Sequence, residues 1–362
     1  MSENALLRGP LDAVAGALTP PASQAVKQQP SERFRPGDLV ALRSPAEILA
    51  TLDGAGALNG MPFMPEMLQY LHRSFTVAKR VEKVCDTICP IGGRRMRDTV
   101  FLEGLRCDGA GHGGCEAECR LYWKEAWLRR VQPGEPEAAA AEPADMVALE
   151  RVTRAHARRP SEGDPVYRCQ ATDVRYASEP LSAFDPRQYV RELDAGNVGP
   201  VRMLRVAVIA AMQFAERVVR SLGSKLGAIA RTRLGGLAAR RRDRAEPLGL
   251  QPGEWVEVKS ADEIARTLDA RLRHRGMLFA ESEMLPACGK TFQVRRRVGR
   301  IIDEATGRML TLKNDCIVLE GFVCTGDLSD RGRRFCAREI YPYWREAWLR
   351  RAAAPDATAG PA

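Results

Sequence analysis

The feature that most constrains this chain is an internal repeat. Residues 122–130 read YWKEAWLRR and residues 343–351 read YWREAWLRR, so the two segments differ at a single position. Upstream of them, Leu-Glu-Gly is followed three residues later by a cysteine, once at Cys107 and again at Cys324. Self-similarity at a long spacing is the signature of repeated structural units. We therefore expect two copies of one module, over about residues 34–131 and 250–352.

Both copies predict the same order of strands and helices. In each copy a Pro-Gly turn leads into a short alternating run, at residues 39–42 and 255–258, which is typical of a strand. Ser44 with Glu47, and Ser260 with Glu263, form capping boxes that begin a short helix. The remaining predicted strands cover residues 75–84, 100–107, 292–302 and 317–324.

A closing helix is expected to end each module. Trp123 and Trp127 are four residues apart and would share one helix face, as would Trp344 and Trp348. We expect these tryptophans to be core residues. The fold class is thus α+β, with two copies of a small module, each a bent sheet or SH3-like barrel plus a closing helix, joined by a helical basic segment. Glu103 and Glu320 fall inside the apolar predicted strands, where pairing with a buried arginine is the favoured interpretation.

Composition sets the expected domain boundaries. Pro, Ala and Glu dominate the stretch after the first module and predict a linker, and Asp185-Pro186 and Pro200 each predict the start of a helix. The predicted organisation is a flexible N-terminus at 1–30, module 1 at 31–133, a linker at 134–162, a helical basic segment at 163–245, module 2 at 246–352 and a flexible tail at 353–362.

The net charge of +9 in 362 residues is concentrated in that central segment. Residues 201–245 contain eleven Lys and Arg against Glu216 and Asp243, so the modules and tails balance to about zero. A helix with an Arg stripe and a wide apolar face favours docking to a protein partner or an anionic membrane surface over nucleic acid. The alternative is that the apolar face packs between the modules. The predicted docking residues are Arg202, Arg205, Arg217, Arg220, Arg240, Arg241 and Arg242.

The termini and hydropathy bear on location. No basic patch followed by an apolar core begins the chain, and the uncharged run at 206–215 is too short for a membrane-spanning helix of about 20 residues. We expect a cytoplasmic protein, or one peripheral to the membrane, with no transmembrane span. In a reducing compartment the ten cysteines would be thiols, metal ligands or reactive groups.

Cysteines converging at short spacing indicate zinc, which prefers four nitrogen or sulfur ligands. In module 1 the fourth ligand could be His72, His112 or Cys85, whereas module 2 offers three cysteines and no obvious fourth. Buried thiols that only fill a core are the alternative in both. The predicted metal ligands are Cys107, Cys115, Cys119, His112, Cys288, Cys324 and Cys336.

Three motifs resemble an uncharacterised bacterial family of duplicated, cysteine-containing proteins. They are LNGMPFMPEM at 58–67, LRCDG with HGGC at 105–115, and YPYWRE at 341–346. The resemblance covers both modules and part of the centre, and it implies no activity. Members of that family carry cysteines at the places of Leu71 and Gly332, so this chain departs from the pattern once in each module.

The sequence contains no complete catalytic set, and this favours a non-catalytic, zinc-stabilised binding or scaffold protein. The rival interpretation is an accessory biosynthetic enzyme that uses an open zinc or thiolate site around Cys107 and Cys115, or around Cys324 and Cys336. Cys115 near His112 is the one local Cys–His combination that could form a nucleophile. Nucleic-acid binding is a third possibility.

Overall fold

The first half of the chain is organised around a five-stranded antiparallel sheet. The structure is a computed structural model that describes residues 32–88, 92–132, 134, 142–227, 247–327, 329 and 333–355. The sheet order is β8-β7-β4-β1-β9. Its elements, with those beside it, are β1 (Leu39–Leu42), α1 (Pro45–Thr51), β2 (Ala57–Leu58), β3 (Met61–Pro62), β4 (Ser74–Arg80), β5 (Lys83–Cys85), β6 (Gly93–Met96), β7 (Thr99–Leu102), β8 (Trp123–Lys124) and β9 (Leu128–Arg130).

The capping box predicted for α1 is confirmed. The Ser44 hydroxyl accepts from the Glu47 N–H while the Glu47 carboxylate accepts from the Ser44 N–H, which satisfies two free donors of the first turn. Pro45 begins the helix, where a missing N–H costs nothing. Ile48 faces inward and is fully buried, so the helix packs into the core of the first half.

The predicted linker contains a helix. In the centre of the chain, α2 carries the fully buried Leu149 and packs against α1. A strand of the predicted basic segment pairs with β6, so this part of the chain belongs to the body of the first half. The central elements are α2 (Pro143–His156), β10 (Arg158–Arg159), β11 (Val166–Tyr167), α3 (Gln170–Asp173), β12 (Ser178–Leu181), α4 (Arg187–Asp194) and α5 (Pro200–Gly227).

The second half contains a four-stranded antiparallel sheet of order β19-β16-β13-β20. The α+β class is therefore confirmed, as several small antiparallel sheets combined with helices of 4 to 28 residues. None of the described helices is long and apolar enough to cross a membrane. The elements are β13 (Trp255–Val258), α6 (Ala261–Ala265), β14 (Arg273–His274), β15 (Met277–Leu278), α7 (Glu281–Met284), β16 (Thr291–Arg297), β17 (Arg300–Ile302), β18 (Met309–Thr311), β19 (Ile317–Leu319) and β20 (Leu349–Arg351).

The predicted closing helix is wrong. Trp123 lies in β8, Glu125–Trp127 form a single 3-10 turn, and the chain is extended again in β9. The reason is that Leu128–Arg130 pair with β1 and must be extended to do so. Both tryptophans are nevertheless fully buried, as are Trp344 and Trp348, so their assignment to the core is confirmed.

The glutamates predicted inside apolar strands lie outside them. The strands end at Leu102 and Leu319, so Glu103 and Glu320 follow them and are exposed. Glu320 pairs with Arg295 at 2.9 Å. The predicted strands at 75–84 and 292–302 are each interrupted, after Arg80 and Arg297.

A buried glutamate lies between the two tryptophans of each half and makes equivalent contacts. Glu125 Oε1 accepts from the Phe34 N–H at 2.9 Å and pairs with the Arg80 guanidinium. Glu346 repeats this with Leu250 N–H at 2.9 Å and with Arg297. The carboxylates of Glu125 and Glu346 therefore point inward, each toward a backbone N–H and a guanidinium.

The two halves meet through backbone and thiol contacts. The N–H of Ile302 donates to Sγ of Cys115 at 3.3 Å, and the N–H of Glu116 donates to the carbonyl of Arg300 at 3.0 Å. The strand pair β17–β18 of the second half thus lies against the loop that precedes Trp123 in the first half.

The reverse contact is also made. The N–H of Cys85 donates to Sγ of Cys336 at 3.0 Å, and the N–H of Ala337 donates to the carbonyl of Lys83 at 3.1 Å. Lys83 and Cys85 occupy in the first repeat the positions of Arg300 and Ile302 in the second. In both contacts a strand N–H donates to the cysteine Sγ, and the N–H of the residue after that cysteine donates to a carbonyl of the strand.

Candidate metal centre

A glycine-rich loop places His112 inside the first half. Residues 108–115 read DGAGHGGC, and Ala110–His112 form a 3-10 turn between Gly109 and Gly113, whose φ values are 74° and 75°. Glycine adopts this left-handed region without a steric penalty. A Cβ on Gly109 would also lie 2.1 Å from the carbonyl oxygen of Cys115. The tight reversal turns His112 inward, where it is only 2% exposed.

The loop is tied to a second 3-10 turn that carries Glu66. Asp108 accepts from the Ala110 N–H at 2.9 Å within the loop and from Gln69 Nε2 at 3.3 Å across to the other turn. The second turn, Pro65–Tyr70, starts with a proline and buries Glu66 in its first residues. Two local turns therefore hold a histidine and a glutamate against Cys107.

The side chains of Glu66, Cys107 and His112 form a compact cluster. Sγ of Cys107 lies 3.3 Å from Glu66 Oε1 and 3.4 Å from His112 Nε2. Each residue offers one potential metal-ligand atom, and these three atoms lie within 4.8 Å of one another. Ligands bound at 2.0–2.3 Å to one tetrahedral zinc are separated by about 3.3–3.7 Å. The cluster is thus close to the geometry that a metal ion requires.

Burial disfavours the charged form of each of these three groups when no counter-charge is bound. Burial lowers the pKa of His112 to about 4 and raises the pKa of the Glu66 carboxyl. Burial and the neighbouring Glu66 raise the pKa of the Cys107 thiol well above its ordinary value. His112 is therefore neutral at physiological pH, which is the form that binds metals.

Two polar atoms of the cluster have no hydrogen-bond partner among the described residues, Glu66 Oε2 and His112 Nδ1. His112 Nδ1 lies 3.4 Å from Glu66 Oε1 without hydrogen-bonding geometry. Buried polar atoms without partners are uncommon because desolvation is then uncompensated, so each one calls for an explanation. A ligand that accepts their lone pairs would supply it.

A cavity of about 40 Å³ adjoins the cluster. It has room for an ion with one or two waters, since a cavity needs about 10–15 Å³ to hold one water. Other thiols and residues of the second half complete its wall: Cys115, Cys119, Cys169, Ile302 and Glu304. A metal held by Glu66, Cys107 and His112 would keep one position open toward this cavity.

The structure therefore unites two of the predicted ligands of module 1 with one that the sequence analysis missed. Cys115 and Cys119 line the cavity but are not part of the compact cluster. His72 lies outside it and is partly exposed. Burial raises the pKa of Cys115, the opposite of what an activated nucleophile needs, and His112 contacts Cys107 instead.

The predicted cysteines of module 2 do not converge in the same way. Cys288 packs against the core of the second half. Cys336 contacts Cys85, and Cys324 hydrogen-bonds with Glu283. Within the described ranges, Glu66, Cys107 and His112 are the one group of three or more potential ligands that lie close enough to hold an ion.

In the second half, a glutamate, a cysteine and a serine lie together. Glu283 occupies the repeat position of Glu66, and Cys324 that of Cys107. At the position of His112 stands Ser329, whose hydroxyl donates to Glu283 Oε1 at 2.6 Å. The nitrogen ligand is thus replaced by a hydrogen-bond donor. This recurrence of a glutamate beside the cysteine is the sequence signal that could have identified Glu66.

The predicted docking helix turns polar side chains toward the second half. Arg202 pairs with Asp327 at 2.7 Å, Gln213 accepts from Arg334 at 2.9 Å, and Val206 is buried. Where its side chains are described, the apolar face points to solvent, so the alternative in which this part packs between the modules is wrong. Arg205 is exposed. Side chains of Arg217 and Arg220, and residues 240–242, lie outside the described residues. The large apolar residues exposed on the described part of α5 are Val201, Leu204, Val208, Met212, Phe214 and Val218.

Comparison with family models, curated proteins and solved structures gives no significant match. The functional assignment therefore depends on the geometry of the chain itself.

Proposed function

We propose that this chain is a non-catalytic binding protein of two related modules, stabilised by a zinc ion bound to Glu66, Cys107 and His112. The observation that carries the proposal is the buried cluster of these three side chains, with unpartnered oxygen and nitrogen atoms. Thiolate and imidazole ligands together favour zinc over calcium or magnesium, which prefer oxygen ligands.

Charge balance supports a divalent ion. A zinc ion of charge +2 with one thiolate, one carboxylate and a neutral imidazole has a net charge of zero. Such a neutral centre removes the burial penalty that otherwise opposes ionisation of Glu66 and Cys107. The open fourth position would be filled by a water in the adjoining cavity.

The size of the cavity favours a structural role over catalysis. Pockets that hold small organic substrates measure about 300–1,000 Å³. A cavity of about 40 Å³ is too small for such a molecule. The enzyme interpretation would need this site to open, so we regard it as the second candidate.

The two modules are proposed to be copies of one unit. The matching strand orders β7-β4-β1-β9 and β19-β16-β13-β20 support this. So does Trp127, whose indole N–H donates to Thr51 at 3.0 Å as that of Trp348 donates to Thr267 at 2.9 Å. The reciprocal contacts between the halves support a pseudo-twofold arrangement of two bent sheets.

The exposed face of α5 is proposed to dock a protein partner. Leu204 and Met212 are 67% and 60% exposed, and such large apolar side chains in a row mark interaction surfaces. Because Arg202 is held by Asp327, an apolar protein surface fits this face better than an anionic membrane. Flotation with anionic phospholipid vesicles separates the two, since a membrane-docking helix would carry the protein to the top of the gradient.

Metal analysis of the purified full-length protein tests the zinc proposal. We expect about one zinc per chain and a lower unfolding temperature after removal by a chelator, because binding energy contributes to folding. Absence of metal after refolding with zinc, together with an unchanged unfolding temperature, would refute it.

A further inference from the structure

A pair of cysteines outside the metal cluster lies at the interface between the halves. Cys85 ends β5, and Cys336 lies in the loop before the second tryptophan motif, 251 residues further along the chain. The Cys85 N–H donates to Cys336 Sγ at 3.0 Å, and the two thiols also hydrogen-bond to each other. Cys85 is partly exposed while Cys336 is buried.

The surroundings stabilise a thiolate on the more exposed partner. The hydrogen bond from Cys336 and the nearby guanidinium of Arg338 lower the pKa of Cys85 to about 6, against the opposing effect of burial. Arg338 is itself fixed by Glu304 at 2.6 Å and hydrogen-bonds to Thr87 at 3.2 Å. The same hydrogen bond raises the pKa of Cys336, so that thiol keeps its proton. Reactive cysteines are characteristically exposed thiolates beside a second, resolving thiol.

The corresponding contact on the other side of the interface contains one thiol instead of two. Where Cys85 meets Cys336, the other half has Ile302 in contact with Cys115. An isoleucine at this position is therefore compatible with the backbone contact. The thiol pair is an addition to one side of a repeated interface and is not required by its geometry.

We propose that Cys85 and Cys336 form a peroxide-responsive disulfide that covalently joins the two halves. The Cys85 thiolate attacks one oxygen of hydrogen peroxide, the O–O bond breaks, and the departing hydroxide takes up a proton to become water. Cys85 is then a sulfenic acid. Sγ of Cys336 attacks the Cys85 sulfur, the S–S bond forms and the S–O bond breaks. The hydroxyl leaves with the Cys336 proton as a second water, so two thiols are oxidised as one peroxide is reduced.

Mass spectrometry of the full-length protein tests this assignment. The protein is treated with hydrogen peroxide, quenched with catalase, alkylated and digested without reduction. We expect a linked peptide pair containing Cys85 and Cys336, and an intact mass lower by about 2 Da than that of the untreated protein. The pair should persist in Cys89→Ser, which removes the nearest other thiol in the sequence.

The matched variant is Cys85→Ile, which copies the residue found at the equivalent contact. It should fold, as circular dichroism would show, and leave Cys336 open to alkylation after peroxide treatment. If this variant does not fold, Cys85→Ala serves the same purpose. A wild-type protein in which Cys85 gains two oxygens while Cys336 is alkylated, or in which Cys85 links to Cys89, would overturn the proposal.

Discussion

Sγ of Cys107 lies 3.4 Å from Nε2 of His112, five residues further along the chain. The two atoms are brought together by the reversal at Gly109, and Glu66 reaches the same thiol from a different turn. A short loop and one residue distant in the sequence therefore form a potential metal centre.

Metal affinity should rise with pH in the neutral range. Ligands must be deprotonated to bind, and Cys107, whose pKa is raised well above its ordinary value, must release its proton. His112 has a pKa of about 4 and is already neutral, so it adds no dependence above that pH. We expect at least about a tenfold gain in affinity per pH unit between pH 6 and 8, because at least one proton is displaced. Competition titrations with a chromogenic chelator measure this. An affinity that levels off above about pH 6.5 would show instead that a histidine with an ordinary pKa controls binding.

Gly111→Ala should weaken metal binding while leaving the fold intact. The new Cβ would lie 2.4 Å from Glu66 Oε2, which can move because it is the end of a flexible side chain. Displacement of this carboxylate removes a ligand, and the Pro65 ring, 3.1 Å from the same Cβ, has to shift by a few tenths of an ångström. The matched control is Gly54→Ala, where a Cβ meets nothing within 4 Å. Zinc titration should show at least about a tenfold weaker affinity for the first variant alone, as for loss of a supporting contact. Equal affinities in the two variants would remove Glu66 from the site.

Ser329→His should create a second metal site. The variant places an imidazole beside Glu283 and Cys324, which repeats the first-half cluster. Zinc content should rise from about one to about two ions per chain. Ser282→His, one residue before Glu283, is the control for an added histidine and should leave the content unchanged. A rise in both variants would mean that added histidines bind zinc non-specifically.

Glu125→Gln should destabilise the protein strongly. Glu125 is 1% exposed and holds Arg80, so the substitution leaves a buried guanidinium with less compensation. Removing one partner of a buried ion pair costs about 3–5 kcal/mol. Glu179→Gln is the control, because its partner Arg97 is exposed and solvent screens the pair. Urea unfolding should show a much lower midpoint for the first variant and little change for the second. Similar midpoints would show that Glu125 is not a structural residue.

Local signals in the sequence predicted local structure well. The capping boxes at Ser44 and Ser260 are present, and helices begin close to Pro186 and at Pro200. The tryptophan motif led to the wrong prediction of a helix. A spacing of four residues fits a helix, but it fits equally well a strand, a 3-10 turn and a second strand. Pairing with β1 decides between the two, and that partner is distant in sequence.

The candidate site was predicted only in part for the same reason. Cys107 and His112 belong to one loop, so their spacing indicated a shared role. Glu66 lies 41 residues before Cys107 and reaches it only through tertiary folding. The orientation of α5 likewise depends on Asp327 and Arg334, which attract its polar side toward the second half.

Cobalt(II) titration tests the central claim most directly, because tetrahedral cobalt bound to a thiolate gives intense visible bands and a sulfur-to-metal charge-transfer band. We expect these bands to saturate at about one cobalt per chain and to be lost in Cys107→Ser and His112→Gln. They should persist in Cys288→Ser and His72→Gln, which alter residues outside the cluster. Saturating bands that are unchanged in Cys107→Ser and His112→Gln would contradict the account, as would the absence of any thiolate band in the wild-type protein.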